Sequence, residues 1–117
     1  MTTGSSDGWP DPLDGVIADP DHHWVLFENE SVRVVETSAK AGETTSLHTH
    51  VLPTVLYVIS GSHFVRRDSD GRVLVDTRTM QPSYAMPPVQ WSDGILQHTL
   101  ENPGPDDLVV IGVELKG

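Results

Sequence analysis

The chain contains no cysteine. That excludes disulfides, thiolate metal sites, iron–sulfur clusters and cysteine nucleophiles together, and it leaves the redox compartment undetermined. Basic residues are scarce: 7 Lys+Arg stand against 17 Asp+Glu, a formal charge of -10. So acidic a chain argues against nucleic acid and membrane as partners, because both select a net positive footprint. No apolar run approaches the roughly 18–20 residues of a membrane span. The opening MTTGSSDGWPDP has neither the basic nor the apolar region of a secretory signal, and a soluble, cytoplasmic protein is expected. Also missing are a G-x-S-x-G nucleophile setting, a phosphate-binding loop and a G-x-G-x-x-G turn. Helical periodicity is lacking too: no window of about a dozen residues keeps an i, i+3, i+4, i+7 apolar pattern free of Pro or Gly.

What remains is one domain with a modest core, in 117 residues of which 37% are hydrophobic. Residues 1–20 read as a flexible N-terminal tail. Gly4, Gly8, Gly15, Pro10, Pro12 and Pro20 punctuate it, and Asp7, Asp11, Asp14 and Asp19 solvate it. Trp9, Leu13, Val16 and Ile17 are its exceptions, able to dock on the domain. Residues 21–117 read as a single β domain.

From Trp24 onward, short β-branched runs recur at 24–27, 32–38, 54–60, 63–68, 72–78 and 108–115. Turn signals separate them, among them Ser60-Gly61, Asp68-Ser69-Asp70-Gly71 and Asn102-Pro103-Gly104-Pro105. This spacing predicts an all-β sandwich or barrel, with Asp68–Gly71 as a hairpin turn. The 54–59 and 108–113 runs are apolar on both faces, which suits strands covered twice and points to an oligomer.

Chemistry concentrates in the histidines. His48 and His50 stand two apart in Ser46-Leu47-His48-Thr49-His50-Val51. On a strand, residues at that spacing share a face, so both imidazoles can converge on one ion. Neutral imidazole suits Zn, Fe, Ni, Cu and Mn.

The string Gly42, five residues, His48-Thr49-His50, three residues, Thr54, six residues, Gly61 resembles the first motif of the cupin superfamily. His98-Thr99-Leu100-Glu101-Asn102 resembles the tail of the second. The likeness covers about residues 22–116. Two departures stand out. The motif's Glu is replaced by Thr54, or by Val55 if the spacing is one longer. Pro87, Asp93 and Ile95 occupy the places of the second motif's Gly, Pro and Gly.

The resemblance implies a cupin-type antiparallel β-barrel or jelly roll with one divalent transition metal held by His48, His50 and His98. Iron is the expected ion, with Zn, Ni, Mn or Cu as alternatives. The implied function is that of a metal-dependent enzyme acting on a small organic substrate in the barrel, by Fe(II) dioxygenase-type chemistry. The alternatives are a non-redox Zn or Ni isomerase, cyclase or lyase, and a non-catalytic barrel that binds a small molecule or metal. A homodimer is expected. Thr54, Gln90, Trp91, His63 and Asn102 are the further candidates for the pocket or its surroundings, and Tyr84 is a possible pocket residue. Strand parity turns Leu56 and Val58 inward with Thr54, and Tyr57 outward. Asn102 is expected to order a turn, and His22 and His23 to face solvent.

Overall fold

The structure is a computed structural model that describes residues 8–80 and 85–117. Tyr84 lies outside the described residues. Among the described residues one short helix, α1 (Gly15–Ala18), precedes nine strands. These are β1 (His23–Glu28), β2 (Val32–Ala39), β3 (His48–His50), β4 (Thr54–Ser60), β5 (Val65–Asp68), β6 (Val73–Asp76), β7 (Val89–Ser92), β8 (Ile95–Glu101) and β9 (Leu108–Leu115). A five-stranded sheet in the order β1-β2-β9-β4-β7 faces a four-stranded sheet in the order β3-β8-β5-β6. Every pairing between these strands is antiparallel. Among the described residues no helix is long and apolar enough to cross a membrane.

The β-branched runs form strands because alternate residues fill the space between the sheets. Val35, Ala39 and Leu108 are buried there, and the expected Asp68–Gly71 turn joins β5 to β6. Gly61 sits at φ 147°, and a Cβ there would stand 2.6 Å from Leu108 Cδ1. Both the conformation and the close approach require glycine.

β7 and β8 carry no β-branched run, and the sequence did not mark them. β8 also breaks the alternation. Its register against β3 slips between His48↔His98 and His50↔Ile95. Leu96 (79% exposed) and the neighbouring Gln97 therefore both point outward, while Ile95 and His98 both face the interior. The irregularity aims His98 inward, as bulges beside functional sites commonly do.

The described part of the expected tail, from Trp9 to Pro20, lies against the barrel instead of standing away from it. The Leu13 carbonyl accepts a 2.7 Å bond from Thr49 N–H, and the Asp11 carboxylate accepts from Thr49 Oγ1 at 3.0 Å. The Arg33 guanidinium lies 4.5 Å over the Trp9 ring. Asp14, almost wholly buried, caps α1 and accepts a 2.8 Å bond from Arg33 Nη2. Composition reads those aspartates as solvated because their partners, Arg33 and Thr49, are distant in sequence.

Candidate metal centre

Four imidazoles converge on the inner side of the barrel. His48 and His50 come from β3, His98 from the facing position on β8, and His23 from the start of β1. Ring centroids lie 4.8 Å apart for His48 and His50, 4.3 Å for His48 and His98, and 5.6 Å for His50 and His98. His23 lies 4.5 Å from His48 and 5.1 Å from His50. His23, His48 and His50 each offer a nitrogen within 4.8 Å of the others, a three-histidine group placed to hold a metal ion.

The expectation that His22 and His23 face solvent is corrected. His23 is 1% exposed, and the His22 ring binds the Asp19 carboxylate at 3.0 Å. The docked segment is the cause, since α1 and Asp19 roof the start of β1. Gly15 permits this closeness: a Cβ there would stand 2.9 Å from His50 Cε1 and 3.1 Å from His23 Nε2.

Three of the rings are oriented from behind in the same way. Nδ1 donates to the Asp19 carbonyl in His23 (3.0 Å), to the Ser46 carbonyl in His48 (2.7 Å) and to the Leu96 carbonyl in His98 (2.7 Å). With the proton on Nδ1, each Nε2 keeps its lone pair, the tautomer of a metal-ligating histidine. His23 Nε2 is buried and has no hydrogen-bond partner among the described residues. Burial first, and then repulsion from neighbouring rings, lowers His23, His50 and His98 to about 3. Burial lowers His48 as well. All four therefore stay neutral at pH 7, the form that ligates metals. Neutral nitrogens, fixed tautomers and an orphaned buried acceptor fit a transition metal ion.

No carboxylate occupies the place of the missing motif Glu. Thr54 is buried there, and its Oγ1 donates to the Leu52 carbonyl at 2.9 Å. Its register partner on β9 is Glu114, whose Oε2 lies 3.8 Å from His50 Nδ1. Glu114 accepts a 2.6 Å bond from Arg33 Nε, so Asp14, Arg33 and Glu114 form a buried triad of one cation between two carboxylates. Burial opposes the charge on Arg33, but the bonds from Asp14 and Glu114 prevail and raise its pKa. The triad's net negative charge sits behind His50 and favours a cation in front of it. His23, Arg33, Asp14 and Glu114 were all missed by sequence reasoning. Only the inward parity of alternate β9 residues could have marked Glu114.

The rings open into a cavity of about 110 Å³. Leu56, Val58, Phe64, Leu108 and Val110 line it, with Arg66 and Gln90 as polar members besides Thr37 and the histidines. Leu56 and Val58 thus face inward, and Tyr57 is exposed, as parity requires. Gln90 lines the cavity, and its Nε2 donates to the Pro87 carbonyl at 3.0 Å. Trp91, a pocket candidate, is corrected: it is 56% exposed on the outer face, because β7 turns Gln90 and Ser92 inward. His63 bonds to Thr77 Oγ1 at 2.9 Å and is not among the lining residues. Asn102 is fully buried and orders the β8–β9 turn. Its Nδ2 donates to the Ala39 and Asp106 carbonyls, and its Oδ1 accepts from Gly104 N–H.

No family model matches the sequence, and no curated protein matches it. Solved structures do. A cupin domain from Bordetella pertussis Tohama I superposes with a TM-score of 0.63 at 20% identity, covering 81% of this chain and 92% of that one. A cupin-family protein with a double-stranded β-helix fold from Methanocaldococcus jannaschii gives 0.56 at 16% identity, covering 80% of each chain. A double-stranded β-helix protein from Klebsiella pneumoniae gives 0.53 at 21% identity, covering 80% of this chain and 70% of that one. Two facing antiparallel sheets, a histidine cluster between them and these superpositions give the chain the cupin fold, a double-stranded β-helix.

Proposed function

We propose that the chain binds one divalent transition metal ion through His48, His50 and His98, joined by His23, and uses it on a small organic molecule held in the cavity. The observation that carries this reading is the shared orientation of three rings by backbone carbonyls, with the buried His23 Nε2 left unpaired. Bound as Fe(II) the ion would supply dioxygenase-type oxidation, and as zinc or nickel it would supply Lewis acidity for non-redox chemistry. The protein's own part is to orient the ligands and shape the cavity. Backbone carbonyls fix the tautomers of His23, His48 and His98, the Asp14–Arg33–Glu114 triad places negative charge behind His50, and Leu56, Val58, Leu108 and Val110 give the cavity an aliphatic wall. Glu114 is committed to Arg33, and no carboxylate is among the described residues that line the cavity. A second copy of the chain is the proposed cover for the outer face of the five-stranded sheet, where Trp24, Phe27, Tyr57, Ile59, Val89 and Trp91 are exposed.

The test is elemental analysis of untagged protein, followed by cobalt(II) titration of the stripped wild type and of a His48→Ala/His50→Ala variant. One equivalent bound by the wild type and none by the variant is expected. Equal binding by both would refute the site. Oxygen uptake by the iron-loaded protein with diketones and catechols then separates the oxygenase from the non-redox reading.

A further inference from the structure

Arg66 lies on β5 and projects into the cavity beside the histidines. Its register partner on β8 is Leu100, two residues beyond His98 on the same inward face. The two inward positions are therefore roughly 7 Å apart along the strand. The Arg66 side chain makes no hydrogen bond or ion pair among the described residues, and its Nε is buried without a partner. The Phe64 ring lies 5.3 Å from its guanidinium carbon.

This isolation is unusual in this chain. Acidic residues outnumber basic ones by 17 to 7, and Arg33, Arg67, Arg72 and Arg78 all have carboxylate partners. Arg66 alone among the described arginines has none. Arg66 is half-buried with its Nε fully so, and a desolvated, unpaired cation is costly unless something outside the chain neutralises it. A guanidinium presents a planar fork of donors that matches a carboxylate two bonds at a time.

We propose that Arg66 is the anion-recognising residue of the cavity, and that the ligand is a small monocarboxylate with an apolar body. The rest of the lining sets that class. Leu56, Val58, Leu108 and Val110 offer an aliphatic wall, which suits a hydrocarbon chain or ring and not a hydrated inorganic anion. The cavity of about 110 Å³ is far below that of a drug-sized site, so the ligand has few heavy atoms. The carboxylate pairs with Arg66, and an oxygen a few bonds away points at the histidine cluster. The proposal deepens the metal-site reading and rests on it only for that second contact.

The experiment uses benzoate and its neutral isostere benzamide, followed by calorimetry on the full chain, both stripped of metal and loaded with zinc. Stripped wild type should prefer benzoate by at least about tenfold, the worth of a charge-assisted pair. Arg66→Gln should lose that preference and Arg66→Lys should keep part of it, each checked by thermal melting. Equal binding of the two probes, no binding of either, or a preference surviving in a folded Arg66→Gln would overturn the proposal. The wild-type comparison stands even if a variant fails to fold. A benzoate preference in protein that binds no zinc would support the Arg66 site while refuting the metal site, so the two failures are distinguishable.

Discussion

Acid should destabilise the metal-free protein steeply, the loss beginning just below neutrality. His23, His50 and His98 are held at about 3 in the folded chain, first by burial and then by one another. In the unfolded chain the same rings titrate near 6.5. Above pH 6.5 the rings are neutral in both states and pH changes nothing through them. Between about 6.5 and about 3 the unfolded chain takes up protons that the folded chain refuses, so stability falls as pH falls. At pH 5 each ring costs roughly 2 kcal/mol, and three rings together about 6 kcal/mol as an upper figure. That rivals the whole stability of a small domain, roughly 5–15 kcal/mol. The assay is urea unfolding followed by tryptophan fluorescence in the presence of a chelator, from pH 8 to pH 5. A slope approaching ~4 kcal/mol per pH unit is expected near pH 5, and His98→Gln should reduce it by about a third. An unfolding free energy that is level from pH 7 to pH 5, or unfolding that takes up less than one proton at pH 5, would refute the account of the cluster.

Three further outcomes follow from the same structure. Gly15→Ala places a methyl 2.9 Å from His50 and 3.0 Å from His23, so the rings must part. Zinc affinity should fall about 10–100-fold with the fold retained, as read by competition with a colorimetric chelator. Asp14→Ala removes one carboxylate from Arg33 and the cap of α1, and urea unfolding at pH 7 should show a loss of about 3 kcal/mol. A change below about 1 kcal/mol would mean the triad does not hold the segment. Ile59→Lys with Trp91→Glu places opposite charges on the outer sheet face, and sedimentation should show a dimer for the wild type and a monomer for the variant.

The strands legible in the sequence are those whose β-branched residues recur between turn signals, namely β1, β2, β4, β5, β6 and β9. β7 was opaque because its inward residues, Gln90 and Ser92, are polar, and β8 because the slip at Leu96–Gln97 erases the alternation. His48 and His50 were legible as a pair since spacing alone puts them on one face. His23 was not, because its depth is conferred by α1 and Asp19, and nothing local to His23 announces that roof. Arg66 follows the same logic. Arg66 and Arg67 stand side by side in the 63–68 run, and only the closed barrel shows that Arg66 points inward.

The segment from Asp11 to Asp19 forms the rear wall of the histidine cluster. Anyone trimming the polypeptide at the change in composition near residue 21 would leave every barrel strand in place and strip the backing from His23 and His50. Conversely, substitutions confined to that short stretch could retune ion selectivity while the barrel sequence stays constant, giving one scaffold several chemistries by exchange of its backplate alone.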